Sequence, residues 1–350
     1  MSRLDELMKS INKEFKEDLI HKGLSQYDYE RIPFTSPRLN YMTFGGLPVG
    51  KLIEFYGEEH GGKTTTALDV VANYQNMQKD MDTPKYVLYA DLENTLDTVW
   101  ATKLGVDIED MYIFNPTNQG AETIFEKLLQ FIDTGEIGLI VIDSLGVMVS
   151  NQALDKSVED KTYGGIAMAL TNFSKKAEML CHKHNCTIIG INQMRDDMNS
   201  MYGGTTTTGG KAWKHNCSAR FEFRMGKYID EKGNDLTRSA ENPAGNIVQV
   251  AMKKNKTCPP TRRTGFYTLN YLNGIDYLKD LVEVAIKYGI IEKAGAWFSI
   301  IDPDTGELID KLQGQPRVYE YLESSEHLDV LMKIENFIDG KIKTGEQSEI

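Results

Sequence analysis

Gly57-Glu58-Glu59-His60-Gly61-Gly62-Lys63-Thr64 fits the pattern G-x-x-x-x-G-K-[ST]. It follows Lys51-Leu52-Ile53-Glu54-Phe55-Tyr56, an apolar run of strand length, and Thr64 to Gln78 behind it carries a helical pattern. Strand, glycine-rich turn and helix in that order make a cradle for the phosphates of a nucleoside triphosphate. The glycines let backbone N–H groups turn inward, and Lys63 reaches the outer phosphate oxygens. The Thr64 hydroxyl is placed to hold Mg²⁺, and the helix N-terminus adds its positive end. The expected binding set is Gly57, Glu58, Glu59, His60, Gly61, Gly62, Lys63, Thr64 and Thr65, with Thr64 also a metal ligand.

Outward from this motif, apolar runs at 51–56, 86–90, 111–114, 138–142 and 187–191 alternate with helical patterns at 64–79, 120–133 and 163–184. Near-continuous apolar strands separated by helices predict an α/β fold with a buried, mostly parallel sheet. Later runs at 219–224, 246–252 and 264–272 have no helical pattern between them, which predicts an antiparallel extension. Leu4, Leu7, Met8, Ile11, Phe15 and Leu19 form one apolar stripe at helical spacing, followed by a polar stretch with Pro33 and Pro37. Helical periodicity resumes at Tyr277 and runs into an acidic tail. The expected division is 1–38, N-terminal helix and linker for oligomerisation; 39–272, nucleotide-binding core; and 273–350, a small α+β domain with an acidic tail.

Composition narrows the class. No apolar stretch reaches the ~18 residues of a membrane span, and the N-terminus lacks the order of a signal peptide, so a cytosolic protein without a membrane partner is expected. Cys181-His182-Lys183-His184-Asn185-Cys186 has the content of a zinc knuckle but no second ligand pair at metal-site spacing, which favours a structural role. The net charge of −12 does not exclude nucleic acid, because basic residues outnumber acidic ones between Lys211 and Arg263 and screening confines distant charge to ~10 Å.

Chemistry gathers where the strands end. Asp143 closes an apolar strand, the position from which a carboxylate organises Mg²⁺ in P-loop ATPases. Glu93, in Asp91-Leu92-Glu93-Asn94, follows another strand at the same edge, where a carboxylate can orient and deprotonate an attacking water. Gln193 ends the next strand as an uncharged group able to register the outermost phosphate. Directly behind it, Met194 to Gly210 contains Gly203-Gly204-Thr205-Thr206-Thr207-Thr208-Gly209-Gly210 and has no periodicity, the pattern of a ligand-gated loop or of a disordered connector.

Taken together, these residues resemble the RecA family of ATP-dependent recombination proteins. The likeness runs from the N-terminal helix to about Ser299. It is carried by Gly45-Gly46-Leu47-Pro48-Val49-Gly50, the P-loop, Asp91-Leu92-Glu93-Asn94-Thr95-Leu96-Asp97, Val141-Ile142-Asp143-Ser144, Ile191-Asn192-Gln193-Met194-Arg195, Thr206-Thr207-Thr208-Gly209-Gly210, Lys254-Asn255-Lys256 and Ile291-Glu292-Lys293-Ala294-Gly295-Ala296-Trp297 in family order. The resemblance implies a RecA-like P-loop core that takes ATP and Mg²⁺, with Glu93 activating water and Gln193 coupling the phosphate to DNA. It also implies that Asp97 and Trp100 contact the adenine, and that Lys254 and Lys256 reach a neighbouring subunit's ATP. Two loops, near 151–165 and 195–210, would hold single-stranded DNA. There Arg195, the hydroxyls of Thr207 and Thr208 and the backbone of Gly203, Gly209 and Gly210 would grip phosphates, while Tyr163, Met198 or Met201 wedge between bases.

The chain departs from the family at His60 and Gly61, where small hydroxylated residues are usual, at Asp196 and Asp197 in a shorter second DNA loop, and at His215, where an aromatic relays signals between subunits. Such divergence suits a phage-encoded or otherwise mobile copy. The resemblance implies a helical filament on single-stranded DNA that pairs it with homologous double-stranded DNA. Rival readings are a hexameric replicative helicase, a mediator or regulatory paralogue that binds ATP without exchanging strands, and a P-loop small-molecule kinase. The Thr-rich loop and Lys-Ala-Gly-Ala-Trp segment favour the recombinase over the helicase, intact Lys63, Glu93 and Asp143 speak against the mediator, and the kinase lacks a recognisable lid.

Overall fold

Side-chain alternation on strands buried on both faces organises the molecule, a computed structural model that describes residues 2–15, 20, 29–155, 165–196, 205–231, 233–237 and 239–344. Ile53 and Phe55, Val87 and Tyr89, Leu139 and Val141, and Ile189 and Ile191 point to one face of the sheet. There they pack with Val70, Val71 and Tyr74 of helix Lys63–Gln78. Leu52, Leu88, Ile140, Ile142 and Ile188 point to the other face, against Phe125 and Leu128 of helix Ala121–Asp133 and Phe173 and Ala177 of helix Gly165–His184. Burial on both faces explains why these strands read as unbroken apolar runs.

The strands of this sheet lie in the order Gly274–Ile275, Thr264–Asn270, Gly245–Asn255, Ala219–Ile229, Leu52–Gly57, Thr187–Asp196, Ile137–Asp143, Tyr86–Asp91, Met111–Phe114. From Ala219–Ile229 to Met111–Phe114 every pairing is parallel, so the loops that follow the central strands open on one edge. Strand Ala219–Ile229 corrects the sequence expectation of an antiparallel extension. It runs parallel to Leu52–Gly57 because the short helix Gly210–Asn216, which the sequence did not reveal, carries the chain back to the starting end. The antiparallel extension begins one strand later, with Gly245–Asn255 and Thr264–Asn270.

Helix Arg3–Phe15 forms within the expected span, yet none of its residues is buried, and Leu4 and Leu7 are 73% and 56% exposed. Its apolar stripe is uncovered within the described subunit. Residues 29–36, read from sequence as linker, are partly core: Ile32 and Phe34 are buried in the first cluster. Cys181 and Cys186 are buried in the second, and burial pushes the Cys186 thiol up. No helix among the described residues is long and apolar enough to cross a membrane. The C-terminal unit has its own core around Leu281, Ile300, Val318 and Ile338. It comprises helix Tyr277–Lys287, an antiparallel sheet of Ile291–Ala294, Trp297–Ile301 and Leu308–Gln313, and helices Gln315–Glu323 and Leu328–Thr344. Much of the stretch read as acidic tail is thus helix.

Two buried carboxylates fasten the N-terminal approach to both units. Thr35 N donates to Asp69 Oδ2 (3.1 Å) on the P-loop helix, and Ser36 Oγ donates to Asp280 Oδ2 (2.5 Å) on helix Tyr277–Lys287. Arg38 lies 3.7 Å from Asp280 Oδ1 and 3.1 Å from Glu283. Burial raises Asp280 to about 7, against the opposing pull of Arg38 and the Ser36 hydrogen bond, and raises Asp69 to about 6. Both native carboxyls therefore hold protons that the unfolded chain has released, so their contribution to stability falls as pH rises from the unfolded value of 3.8 towards about 7. In urea unfolding, Asp280→Asn should flatten this dependence, gaining on the order of 1–3 kcal/mol relative to wild type between pH 5 and pH 8. Parallel curves for the two proteins would remove Asp280 as the cause.

Candidate nucleotide and nucleic-acid site

The P-loop is shaped by tight packing. A Cβ on Gly57 would stand 2.0 Å from the Phe223 carbonyl oxygen, and one on Gly62, at φ +90°, would stand 2.9 Å from Val248. Below the loop, Thr66 Oγ1 donates to the Gly62 carbonyl (2.8 Å) and meets Tyr267 OH at 2.8 Å. Lys63 is 8% exposed, and its Nζ donates to the carbonyls of Gly57 (3.2 Å) and Glu58 (2.6 Å). Burial lowers its pKa, while Asp143, Glu59, Glu93 and Glu58 pull it back up. A buried ammonium at a helix N-terminus in a cradle that admits no side chains fits a phosphate.

Strand ends bring the acids to this loop. Asp143 Oδ2 accepts from Thr64 Oγ1 (2.9 Å) and Tyr89 OH (2.8 Å). Burial raises the Asp143 pKa; those two hydrogen bonds oppose the shift, while Glu93 and Asp91 add to it. A threonine hydroxyl and a carboxylate in contact form a donor set of the kind Mg²⁺ takes. Asp91 turns the chain after its strand: its carboxylate accepts from Thr95 N and Leu96 N, both at 3.1 Å. That turn presents Glu93 to the same edge, where Glu93 Oε1 accepts from Ser144 Oγ (2.5 Å) and Gln193 Nε2 (3.5 Å).

An open cleft of about 580 Å³ lies beside the loop, lined by His60, Gly61, Gly62, Lys63, Thr64, Thr65 and Trp100 on one side and Met225, Tyr228, Asn246, Leu269 and Tyr271 on the other. Trp100 Nε1 donates to Thr65 Oγ1 (3.4 Å). The Asp97 carboxylate caps helix Thr98–Lys103, accepting from Trp100 N (3.0 Å). The second wall was missed from sequence, since residues on three strands between 219 and 271 meet only through sheet order. Ser144 and Tyr89 were passed over because a lone serine and a lone strand tyrosine carry no pattern.

Of the DNA-loop candidates, Tyr163, Met198, Met201 and Gly203 lie outside the described residues. Of the second loop, expected to lack regular structure, the described limbs form an antiparallel ladder pairing Met194 with Thr207, Arg195 with Thr206 and Asp196 with Thr205. Arg195 is exposed and donates to the Gly146 carbonyl (2.7 Å), Thr207 and Gly209 are buried, and Gly210 is at the surface. The hydroxyls of Thr207 and Thr208 are buried without a hydrogen-bond partner among the described residues. The basic stretch is largely engaged within the subunit: Arg220 pairs with Glu54, Arg224 and Lys253 with Glu222, and Lys227 with Asp235. Lys254 and Lys256 donate to carbonyls of helix Gly210–Asn216.

A buried polar chain joins loop and P-loop strand. Asn192 Nδ2 donates to Glu54 Oε1 and to the Thr208 carbonyl, both at 2.9 Å, and Arg220 Nε donates to Glu54 Oε2 (2.5 Å) while its guanidinium covers the Tyr56 ring.

Parallel sheet, glycine cradle, buried lysine and paired acids at one sheet edge define a P-loop nucleoside-triphosphate-binding protein of the RecA fold. Two family models match the chain, the RecA N-terminal domain over residues 2–276 and the RecA C-terminal domain over residues 279–343. Protein RecA of Ruminococcus albus is 35% identical over 94% of this chain and 77% of its own length. Protein RecA of Fusobacterium nucleatum is 36% identical over 88% and 78%, and that of Aquifex aeolicus is 32% identical over 95% and 90%. The chain belongs to the RecA family.

Glu54 is fully buried and is charge-paired with Arg220, so Glu54→Ala leaves a cation partly buried without its partner. Denaturant unfolding should show a loss of about 3 kcal/mol. A loss within ~0.5 kcal/mol, the usual range for surface changes, would mean the chain contributes nothing to stability.

Proposed function

We propose that this chain is an ATP-dependent recombinase that assembles on single-stranded DNA, pairs it with homologous duplex and exchanges strands, with hydrolysis stimulated by DNA. The observation that carries this reading is the strand Thr187–Asp196. It holds Gln193 against Glu93, and Arg195 and Asp196, two and three positions further on, already pair with Thr206 and Thr205 of the Thr-rich loop. A change at Gln193 is thereby passed along a rigid backbone to the DNA loop, and the reverse holds equally.

In this mechanism Lys63 exchanges its loop carbonyls for phosphate oxygens, and the amides at the start of helix Lys63–Gln78 hold the same anion. Thr64 and Asp143 would hold Mg²⁺, whose charge would offset that of the phosphates. Glu93, with Oε1 held by Ser144 and Gln193, receives the proton of the attacking water on Oε2. Trp100, Tyr228 and Tyr271 line the cleft where the base would lie. Lys254 and Lys256 reach the neighbouring subunit's nucleotide, as trans-acting cations do in other P-loop enzymes. The protein grips phosphates while base pairing reads the sequence, so binding is unspecific and weakens with salt.

A strand-exchange assay with purified protein, ATP, Mg²⁺ and homologous DNA tests this reading. Joint molecules that require ATP and homology are expected, and ATP hydrolysis on single-stranded DNA without joint molecules would point to a mediator or helicase. In the same preparation, Glu93→Gln should lower DNA-stimulated turnover by roughly 10²–10⁴ while nucleotide affinity changes little. Lys63→Ala should damage both. Wild-type turnover by Glu93→Gln at saturating DNA would contradict the base assignment.

A further inference from the structure

Lys254 Nζ donates to the carbonyl oxygens of Lys214 (2.8 Å) and His215 (2.7 Å), and Lys256 Nζ donates to the same His215 carbonyl (3.1 Å). Those oxygens belong to the last turn of helix Gly210–Asn216, where carbonyls run out of intrahelical partners and the dipole is negative. Two ammonium groups converging on one helix end form a charge-assisted cap. Burial and the neighbouring cations Lys256 and Arg220 hold the Lys254 amine below the usual lysine range, so crowding of positive charge there is a real cost that the carbonyls offset.

The capped helix also anchors the second loop. Lys214 Nζ donates to Thr206 Oγ1 (2.6 Å), on the loop limb that pairs with Arg195. On its inner side the helix is fixed by fully buried Trp213 and by Asn216 Nδ2 donating to Ser174 Oγ (2.8 Å). A continuous path therefore runs from Thr206 through the Lys214 side chain and carbonyl to Lys254.

We propose that Lys254 and Lys256 work by hand-over: in the unassembled subunit they cap helix Gly210–Asn216 and so hold the second loop, and on assembly they leave that helix for the neighbour's nucleotide. The proposal rests on the trans-acting role assigned to these lysines above. It adds that the cations are withheld until the helix end is released. DNA drawing on the Thr206 limb loosens Lys214, and with it the cap, which makes completion of the neighbour's site conditional on DNA.

Hydrogen exchange on the free subunit, without nucleotide or DNA, tests the capping half. In Lys254→Met/Lys256→Met, amide exchange across Trp213–Ser218 should rise about tenfold, while strand Leu52–Gly57 keeps its wild-type protection. The single variants are graded and serve if the double does not fold: Lys254→Met, losing two carbonyl contacts, should exceed Lys256→Met, losing one. The same proteins assembled on DNA should lose DNA-stimulated hydrolysis. Unchanged exchange in the free subunit overturns the hand-over but leaves the trans role standing. Raised exchange with wild-type DNA-stimulated hydrolysis overturns both, leaving a structural cap.

Discussion

Lys63 places an ammonium group inside the protein, where the carbonyls of Gly57 and Glu58 accept its hydrogen bonds and burial works against its charge. Burying a cation this way is unfavourable unless an anion is close, and the surroundings are arranged around that need. The parallel sheet brings the ends of Tyr86–Asp91, Ile137–Asp143 and Thr187–Asp196 to the same edge as the loop, which is how Glu93, Asp143 and Gln193 come within reach of Lys63 and Thr64. Packing of the loop on Phe223 and Val248 fixes the cradle before any ligand arrives. That pre-organisation lowers the ordering cost of binding.

The coupling we propose starts at the same edge. Two routes lead from it to the Thr-rich loop. One is the strand itself, from Gln193 to Arg195 and Asp196. The other is the buried chain of Glu54, Arg220 and Asn192 that ends on the Thr208 carbonyl. Both routes are continuous hydrogen-bonded structure, as transmission of a displacement from the phosphate end requires. The lysine cap on helix Gly210–Asn216 adjoins that loop through Lys214, whose side chain reaches Thr206. Much of the positive charge between 211 and 263 serves these internal contacts. A count of basic residues along the chain was therefore a poor guide to a DNA-binding face.

Legibility of the sequence followed physical range. The P-loop was readable because its chemistry is local: the cradle needs glycines, a lysine and a hydroxyl at fixed spacing beside a strand and a helix. The strands at 51–56, 86–90, 138–142 and 187–191 were readable because burial on both faces forces continuous apolar runs. Helix Gly210–Asn216 was not, since seven residues that begin with a glycine and follow Gly209 show too little periodicity, and missing it reversed the direction assigned to Ala219–Ile229. The far wall of the cleft, Met225, Tyr228, Asn246, Leu269 and Tyr271, depends on strand order, which no local pattern encodes. Ile32 and Phe34 looked like linker because prolines flank them, although tertiary packing buries both.

We propose an active site completed across a subunit boundary under the control of DNA. A cryo-EM reconstruction of the protein on single-stranded DNA with Mg²⁺ and a slowly hydrolysed ATP analogue tests it most directly. Lys254 and Lys256 are expected to point into the neighbouring subunit's cleft beside Lys63 and Thr64, with the last turn of helix Gly210–Asn216 no longer capped by them. A filament in which both lysines still bind the carbonyls of Lys214 and His215 while the neighbour's nucleotide is fully enclosed by its own subunit would contradict it.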